Sequence, residues 1–446
     1  MSELAPAAAD AVRVVVGLGT VVVLPLGLRL LGDRAVPRSA SPLWPLVGLL
    51  AAVSVWLPVG PAAAALALPF AAASVVLAGC VLRVRLLSTA VALATPLVGA
   101  LALVVERAGW GLLGFSGDYL ALTVPHMLFA GFGACLVVGL VAHATAGRLT
   151  RVSATAAPAG VLLVLVGYVV SDAAELVGAA VLTLGLWCAA AATVGLTGSR
   201  STRVLLRVGA ATIVASMLLA LWWALGEATG IAHPSLSWMA ATHGVANALG
   251  FVLCTLLGLR LRGPIPEPTG LTYPGVGATQ GGPLPAGYRH LRIRHLLGPG
   301  SRPDDLARVG DALLRWRVHA AAGIELLHDA DAAAPGVRVA SRLGIGPVRL
   351  HEPCEVVWVE RTADRVGFGY GTVSGHLFRG EEAFTVERDA AGDLWFVVTA
   401  YSVPDLWWVR AVGPLTVVGQ RAYLRLLARG ARRVLAADRR AVGSVA

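Results

Sequence analysis

The stretch Gly367–Phe384, GFGYGTVSGHLFRGEEAF, decides how the second half of this chain folds. Gly367, Gly369 and Gly371 alternate with Phe368, Tyr370 and Thr372. A strand sends alternate side chains to opposite faces. One face is therefore bare backbone and the other aromatic and β-branched. Glycine inside a strand costs stability and marks a bulge or a close approach by a helix, a backbone or a ligand. A turn at Ser374-Gly375, then His376, a second turn at Arg379-Gly380 and the adjacent carboxylates Glu381 and Glu382 complete a hairpin. Tyr370, His376, Glu381 and Glu382 are the candidate catalytic residues, since they offer acid–base chemistry. Neighbouring carboxylates on a strand face apart, so Glu381 and Glu382 are not expected to act as a pair. No GxSxG, HExxH or phosphate loop accompanies them. Ligand binding is thus the leading reading of this hairpin, through Gly367, Gly369, Tyr370 and Gly371.

Working outward, strand-like runs cover Tyr288–Leu297, Val337–Leu343, Glu355–Glu360, Arg365–Thr372, Glu382–Arg388 and Trp395–Tyr401. Asp389–Asp393 reads as a hairpin turn with Gly392 at its left-handed position. Ser301, Pro303 and Asp304 mark a helix start. Leu306, Val309, Leu313 and Trp316 then recur at helical spacing over residues 304–320. Trp316 belongs foremost to the core, and is also a candidate ligand contact. Residues 415–437 form a long final helix with Tyr423, Leu424, Leu427 and Val434 on its apolar face. Arg421, Arg425, Arg429, Arg432 and Arg433 make its other faces basic, either simply solvated or able to touch anionic lipid. One helix, an antiparallel sheet and a last helix predict an α+β helix-grip-like domain over residues 288–446. Such domains commonly hold an apolar pocket between helix and sheet. Upstream, residues 263–287 are rich in proline and glycine and are expected to be a linker.

The first 262 residues differ. The chain of 446 residues is 57% hydrophobic and 14% charged, and its charges concentrate after about residue 260. A helix needs about 20 apolar residues to cross a bilayer. Nine stretches qualify: 11–31, 43–59, 62–82, 86–105, 119–142, 155–171, 174–196, 204–226 and 237–259. Pro58 to Pro61 separate the second from the third by so little that a hairpin or re-entrant pair is an alternative. Alternate loops carry Arg34 and Arg38, Arg83 and Arg85, Arg148 and Arg151, then Arg200, Arg203 and Arg207, and finally Arg260 and Arg262. The intervening loops carry Glu106, Arg107, Asp118, Asp172, Glu227 and His233. The positive-inside bias puts the arginine-rich loops in the cytoplasm. The expectation is a multi-pass inner (plasma) membrane protein with its N-terminus outside and its second half cytoplasmic. The net charge of +10, with no lysine, follows from those arginines and does not call for nucleic acid. The five cysteines show no metal or disulfide spacing. Glu3 and Asp10, with no basic stretch, do not read as a cleaved signal peptide.

Polar residues inside apolar spans are costly and draw functional suspicion. His126 sits beside Pro125, and His243 and Asn247 are four residues apart on one helical face. Glu175 opens the seventh span. These four are the candidate transmembrane polar site, against a plain role in helix–helix hydrogen bonding. His126 and His243 on different helices could in principle ligate haem axially; no metal site is otherwise expected. Pro25, Pro96 and Pro125 interrupt spans, without a convincing internal repeat.

Two resemblances follow from these residues. Leu313–Gly323, Glu352–Val359, GFGYGTVSGH with GEEAF, and Ala400–Pro414 resemble the bacterial and plant domain of unknown function 1990. The first 260 residues resemble the membrane part of YndJ-type proteins, through His126 with Ala130-Gly131-Phe132 and through THGVANALGF at Thr242–Phe251. The latter resemblance implies a second histidine two positions after the first, where this chain has Leu128. The likeness of the first family to lipid-pocket domains implies an apolar or lipid-like ligand for the cytoplasmic domain. Two further classes stay open: a transporter using the polar residues of the bundle, as YndJ-type proteins are often called, and a membrane enzyme acting on a lipid.

Overall fold

The computed structural model describes residues 4–32, 35–36, 43–145, 147–263, 270–299, 302–345 and 348–443. The chain forms two compact units, Met1–Ile265 and Pro266–Ala446. In the first, the described helices are α1 (Pro6–Leu31), α2 (Trp44–Ser54), α3 (Pro61–Arg83), α4 (Leu87–Arg107), α5 (Asp118–Ala144), α6 (Arg148–Val170), α7 (Asp172–Val194), α8 (Arg200–Thr229) and α9 (Leu236–Arg262). All but α2 are long and apolar enough to cross a membrane, which makes eight among the described residues, where the sequence predicted nine stretches. The difference is α2, whose 11 residues extend about 16 Å. It still returns the chain to the end where α1 begins. There the Leu4 amide donates to Asp118 at 2.6 Å, the Arg107 guanidinium donates to the Leu57 carbonyl at 3.1 Å, and the Gly60 amide donates to the Arg107 carbonyl at 2.8 Å. Arg34 and Arg38 lie outside the described residues.

Small residues set the helix spacing. A Cβ at Gly160 of α6 would stand 2.4 Å from the Leu182 backbone of α7, and one at Gly185 of α7 would stand 2.4 Å from Ala157. Only glycine permits that approach. Three long helices also carry π-helical turns: α1 at Gly19–Val23, α5 at Met127–Ala134, and α9 at Ala240–Gly244 and Ala246–Leu253. Pro25 follows the first and Pro125 precedes the second. A proline lacks the amide for the regular ladder, and local π adjustment re-pairs the freed carbonyls. The segments of α1 and α5 and the second of α9 pack against one another.

The second unit is α+β. Its strands are β1 (Arg289–Gly298), β2 (Glu325–His328), β3 (Arg338–Ile345), β4 (Val348–Arg361), β5 (Arg365–Thr372), β6 (Phe378–Arg388) and β7 (Leu394–Pro404). They form an antiparallel sheet in the order β1-β7-β6-β5-β4-β3-β2. The expected helix over 304–320 is two helices, α10 (Asp305–Leu314) and α11 (Arg317–Ala321). They break at Trp316, whose φ of +61° no helix tolerates. The start signal at Ser301 lies outside the described residues. A short helix α12 (Trp407–Ala411) leads into α13 (Pro414–Gly443), the long final helix. Gly392 takes the left-handed turn position as expected, with φ +82°.

The core lies on one face of this sheet. Leu424, Leu427, Ala431 and Leu435 of α13 pack with Val309 and Leu313 of α10 over Phe368, Phe384, Phe396 and Val398. The other face is covered differently. Residues 270–287, the larger part of the expected linker, are fastened to the sheet as a strap. Leu271 bridges Val373, the Thr272 amide donates to the Thr372 carbonyl at 3.0 Å, and the Tyr401 hydroxyl donates to the Gly275 carbonyl at 2.8 Å. The Pro/Gly composition serves a chain that crosses strands tightly, with Gly275 and Gly277 at positive φ.

Candidate functional site

The β5–β6 hairpin presents its two faces to two different environments. Gly367, Gly369 and Gly371 look toward the strap, and α13 lies on the other side. A Cβ on Gly369 would stand 2.3 Å from the Trp358 indole nitrogen, and one on Gly371 would stand 1.8 Å from the Tyr273 hydroxyl. The alternating glycines thus admit Trp358 and the strap. The expected approach of the final helix or of a ligand to this face is corrected: the space there is already filled by protein.

Glu381 belongs to that face and is 2% exposed. It accepts from the Tyr273 hydroxyl at 2.9 Å, the Gly277 amide at 2.7 Å and the Thr279 amide at 2.9 Å, and also from the Thr279 hydroxyl. The Trp358 indole N–H in turn donates to that hydroxyl at 3.1 Å. Every lone pair of the carboxylate is used. Glu381 is an anchor for the strap, with no valence left for catalysis.

Glu382, one residue on, points to the helix face. There it meets Tyr370 across the β5–β6 pair, whose hydroxyl donates to its Oε2 at 3.3 Å. Tyr370 also hydrogen-bonds Tyr423 of α13. Glu352 of β4 completes the group, accepting from the Ser341 hydroxyl at 3.3 Å, and Cys354 is buried beside it. Burial, then the like charge of Glu352, pushes the Glu382 carboxyl up to about 7, although the Tyr370 bond pulls the other way. Burial raises both phenols well above their usual range, and the Cys354 thiol likewise. The cluster therefore offers hydroxyl donors and one carboxyl whose charge changes near neutral pH. It sits where α13 begins to pack. No described residue from Pro414 to Ala422 is buried, and burial starts beside Tyr423, at Leu424.

The remaining hairpin candidates lie apart from it. The Phe378 amide donates to His376 Nδ1 at 2.9 Å, which closes the turn. Burial holds that imidazole down at about 4 and neutral. Trp316 is core: its indole donates to the Ala330 carbonyl at 3.0 Å, and its ring stacks on His328 and meets Phe368 edge-on. Sequence reasoning missed Glu352, Tyr423 and Ser341, which come from distant elements. It also missed His319, fully buried among Trp316, Phe368 and Phe384 with neither nitrogen partnered.

In the helical unit, His243 and Asn247 do meet. Asn247 Nδ2 lies 3.0 Å from His243 Nε2, and His243 Nδ1 lies 2.9 Å from the Ser216 carbonyl of α8. The Ser216 hydroxyl donates to Asn247 Oδ1 and closes the ring. His126 lies within electrostatic range of His243 and meets the Tyr168 ring edge-on at 6.4 Å. Glu175 is within the same range of Tyr168. His126 and Glu175 thus both lie near Tyr168. Both nitrogens of His243 are engaged, so the pair does not fit axial haem ligation. Among the described residues, no group of three His, Cys, Asp or Glu could hold a metal ion.

A helical unit rich in long apolar helices, followed by an antiparallel-sheet domain with an acid–tyrosine cluster, defines a two-module chain. Residues 14–251 match the family described as YndJ-like protein, and the chain belongs to that family. Residues 272–430 match the domain of unknown function DUF1990 in tandem with it, so that match takes in most of the strap. A UPF0548 protein of Deinococcus radiodurans is 46% identical over 80 residues, which is 17% of this chain and 40% of that protein. A UPF0548 protein of Arabidopsis thaliana is 38% identical over 58 residues, 12% of this chain and 28% of that protein. Each match spans less than half the length of the curated relative.

Proposed function

We propose that this is a multi-pass membrane protein whose second unit is a helix-grip domain for an apolar, lipid-like molecule. The ligand lies between the first half of α13 and the sheet, with its polar end on Tyr370, Glu382 and Tyr423. One observation carries this reading: α13 gives up its packing over Pro414–Ala422 beside a half-buried polar cluster. Exposed apolar side chains on that stretch, next to a polar cluster, suit an amphipathic guest. The arginines of alternate loops support a cytoplasmic position for this domain. The test is photolabelling of the full chain with a photoreactive fatty acid, followed by peptide mapping. Adducts on β4–β6 and on the inner face of Thr416–Tyr423 are expected, and they should fall severalfold in Tyr370→Phe/Glu382→Gln. Adducts confined to α1–α9 would reject the site.

A second reading concerns the helical unit, as a transporter with its polar site at His126, Glu175, His243 and Asn247. The converging π-helical turns favour it, since such turns concentrate at functional sites. Proton flux into proteoliposomes under a potassium diffusion potential is the measurement. Equal flux for wild type and His243→Ala would remove this reading.

A further inference from the structure

We infer that the outward face of α13 docks onto an anionic phospholipid surface. This helix has two apolar faces. Leu424, Leu427, Ala431 and Leu435 point into the core. Leu415, Val418 and Leu426 fall on the opposite side at 100° per residue, and they are 70%, 65% and 42% exposed. Arg421, Arg425 and Arg429 run along one side of this stripe at the same spacing and are exposed too. The five arginines of residues 414–437 divide by task. Arg432 donates to the Leu296 carbonyl and Arg433 to the Ala321 carbonyl, which fastens the helix to its own domain. The other three are exposed, and no acidic residue occurs between 414 and 437 to neutralise them.

An apolar stripe edged on one side by arginines suits the boundary between acyl chains and anionic headgroups. Each arginine near such a surface is worth about fivefold in association. Exposed leucine and valine add the apolar part, which an acidic soluble protein would not require. The inference rests on the membrane reading above. It gives that reading a geometry, with the outward face of α13 held against lipid.

The experiment uses the full chain in nanodiscs, with a photoreactive residue in place of Val418. Nanodiscs of phosphatidylcholine alone are compared with nanodiscs containing phosphatidylglycerol. Lipid adducts at position 418 should be roughly tenfold more abundant with the anionic lipid. The Arg421→Gln/Arg425→Gln/Arg429→Gln variant should fall to the phosphatidylcholine level, as should wild type at high salt. Equal yields in both lipids, no lipid adduct, or capture of a second copy or of another protein each overturns the inference. Failure here is separable from failure of the binding site, because the two assays label opposite faces of α13.

Discussion

Glu381 and Glu382 are chain neighbours, yet the sheet gives them opposite lives. Glu381 faces the strap, where hydroxyl and amide donors surround its oxygens. Glu382 faces α13, where a tyrosine hydroxyl and a second acid meet it. The first arrangement spends a buried charge on fastening; the second leaves a carboxyl poised to change charge. A buried carboxylate fully supplied with donors is structural, and one short of donors beside a like charge is a candidate for function.

The contrast breaks most severely at Glu381. Glu381→Ala leaves the Tyr273, Gly277 and Thr279 donors buried without an acceptor, at a cost of about 4 kcal/mol. Hydrogen exchange of β5, β6 and strap amides in the full chain should show it, whereas Glu382→Ala should cost less than half as much. Next comes His319. Burial holds its imidazole down at about 4, against 6.5 normally. Its folded value is depressed, so the stability it permits is present above pH 6.5 and lost as pH falls toward 4. The loss amounts to about 3 kcal/mol and should vanish in His319→Leu, read by exchange in the core strands at the two pH values.

Glu382 runs the other way. Its folded value is raised to about 7 from 4.5, so its contribution is complete below pH 4.5 and is lost as pH rises through 7. Partial exposure discounts the effect to about 1–2 kcal/mol. Glu382→Gln should flatten that limb of the stability profile, and an unchanged slope would return Glu382 to the ordinary solvated acids. The smallest effect is Tyr273→Phe. It removes one of the Glu381 donors and should loosen the strap by about 1 kcal/mol, with no change in the pH slope assigned to Glu382.

Much of this was legible in local sequence. Alternation at Gly367–Thr372 identified a strand with one bare face, and the same parity set Glu381 and Glu382 apart. Arginine spacing and apolar run lengths located the long helices. What was not legible depends on partners distant in sequence. Glu352 and Tyr423 join Tyr370 only once β4, β5 and α13 are assembled, and neither of the two has a local signature. The strap is not legible in composition, because proline and glycine describe equally an open linker and a tight crossing. What distinguishes the two is Glu381, about a hundred residues away.

That crossing also has a mechanical side. The strap follows α9 in the chain with only residues 264–269 between its described part and Gly263. A pull entering the second unit at Gly270 first meets the Thr272–Thr372 bonds, and then the donors gathered on one carboxylate. The donors to Glu381 come from Tyr273, Gly277 and Thr279 in succession, so the pull loads them in turn. Pulled from that end the crossing opens like a zipper, bond after bond, whereas a pull across the whole strap loads all of them at once.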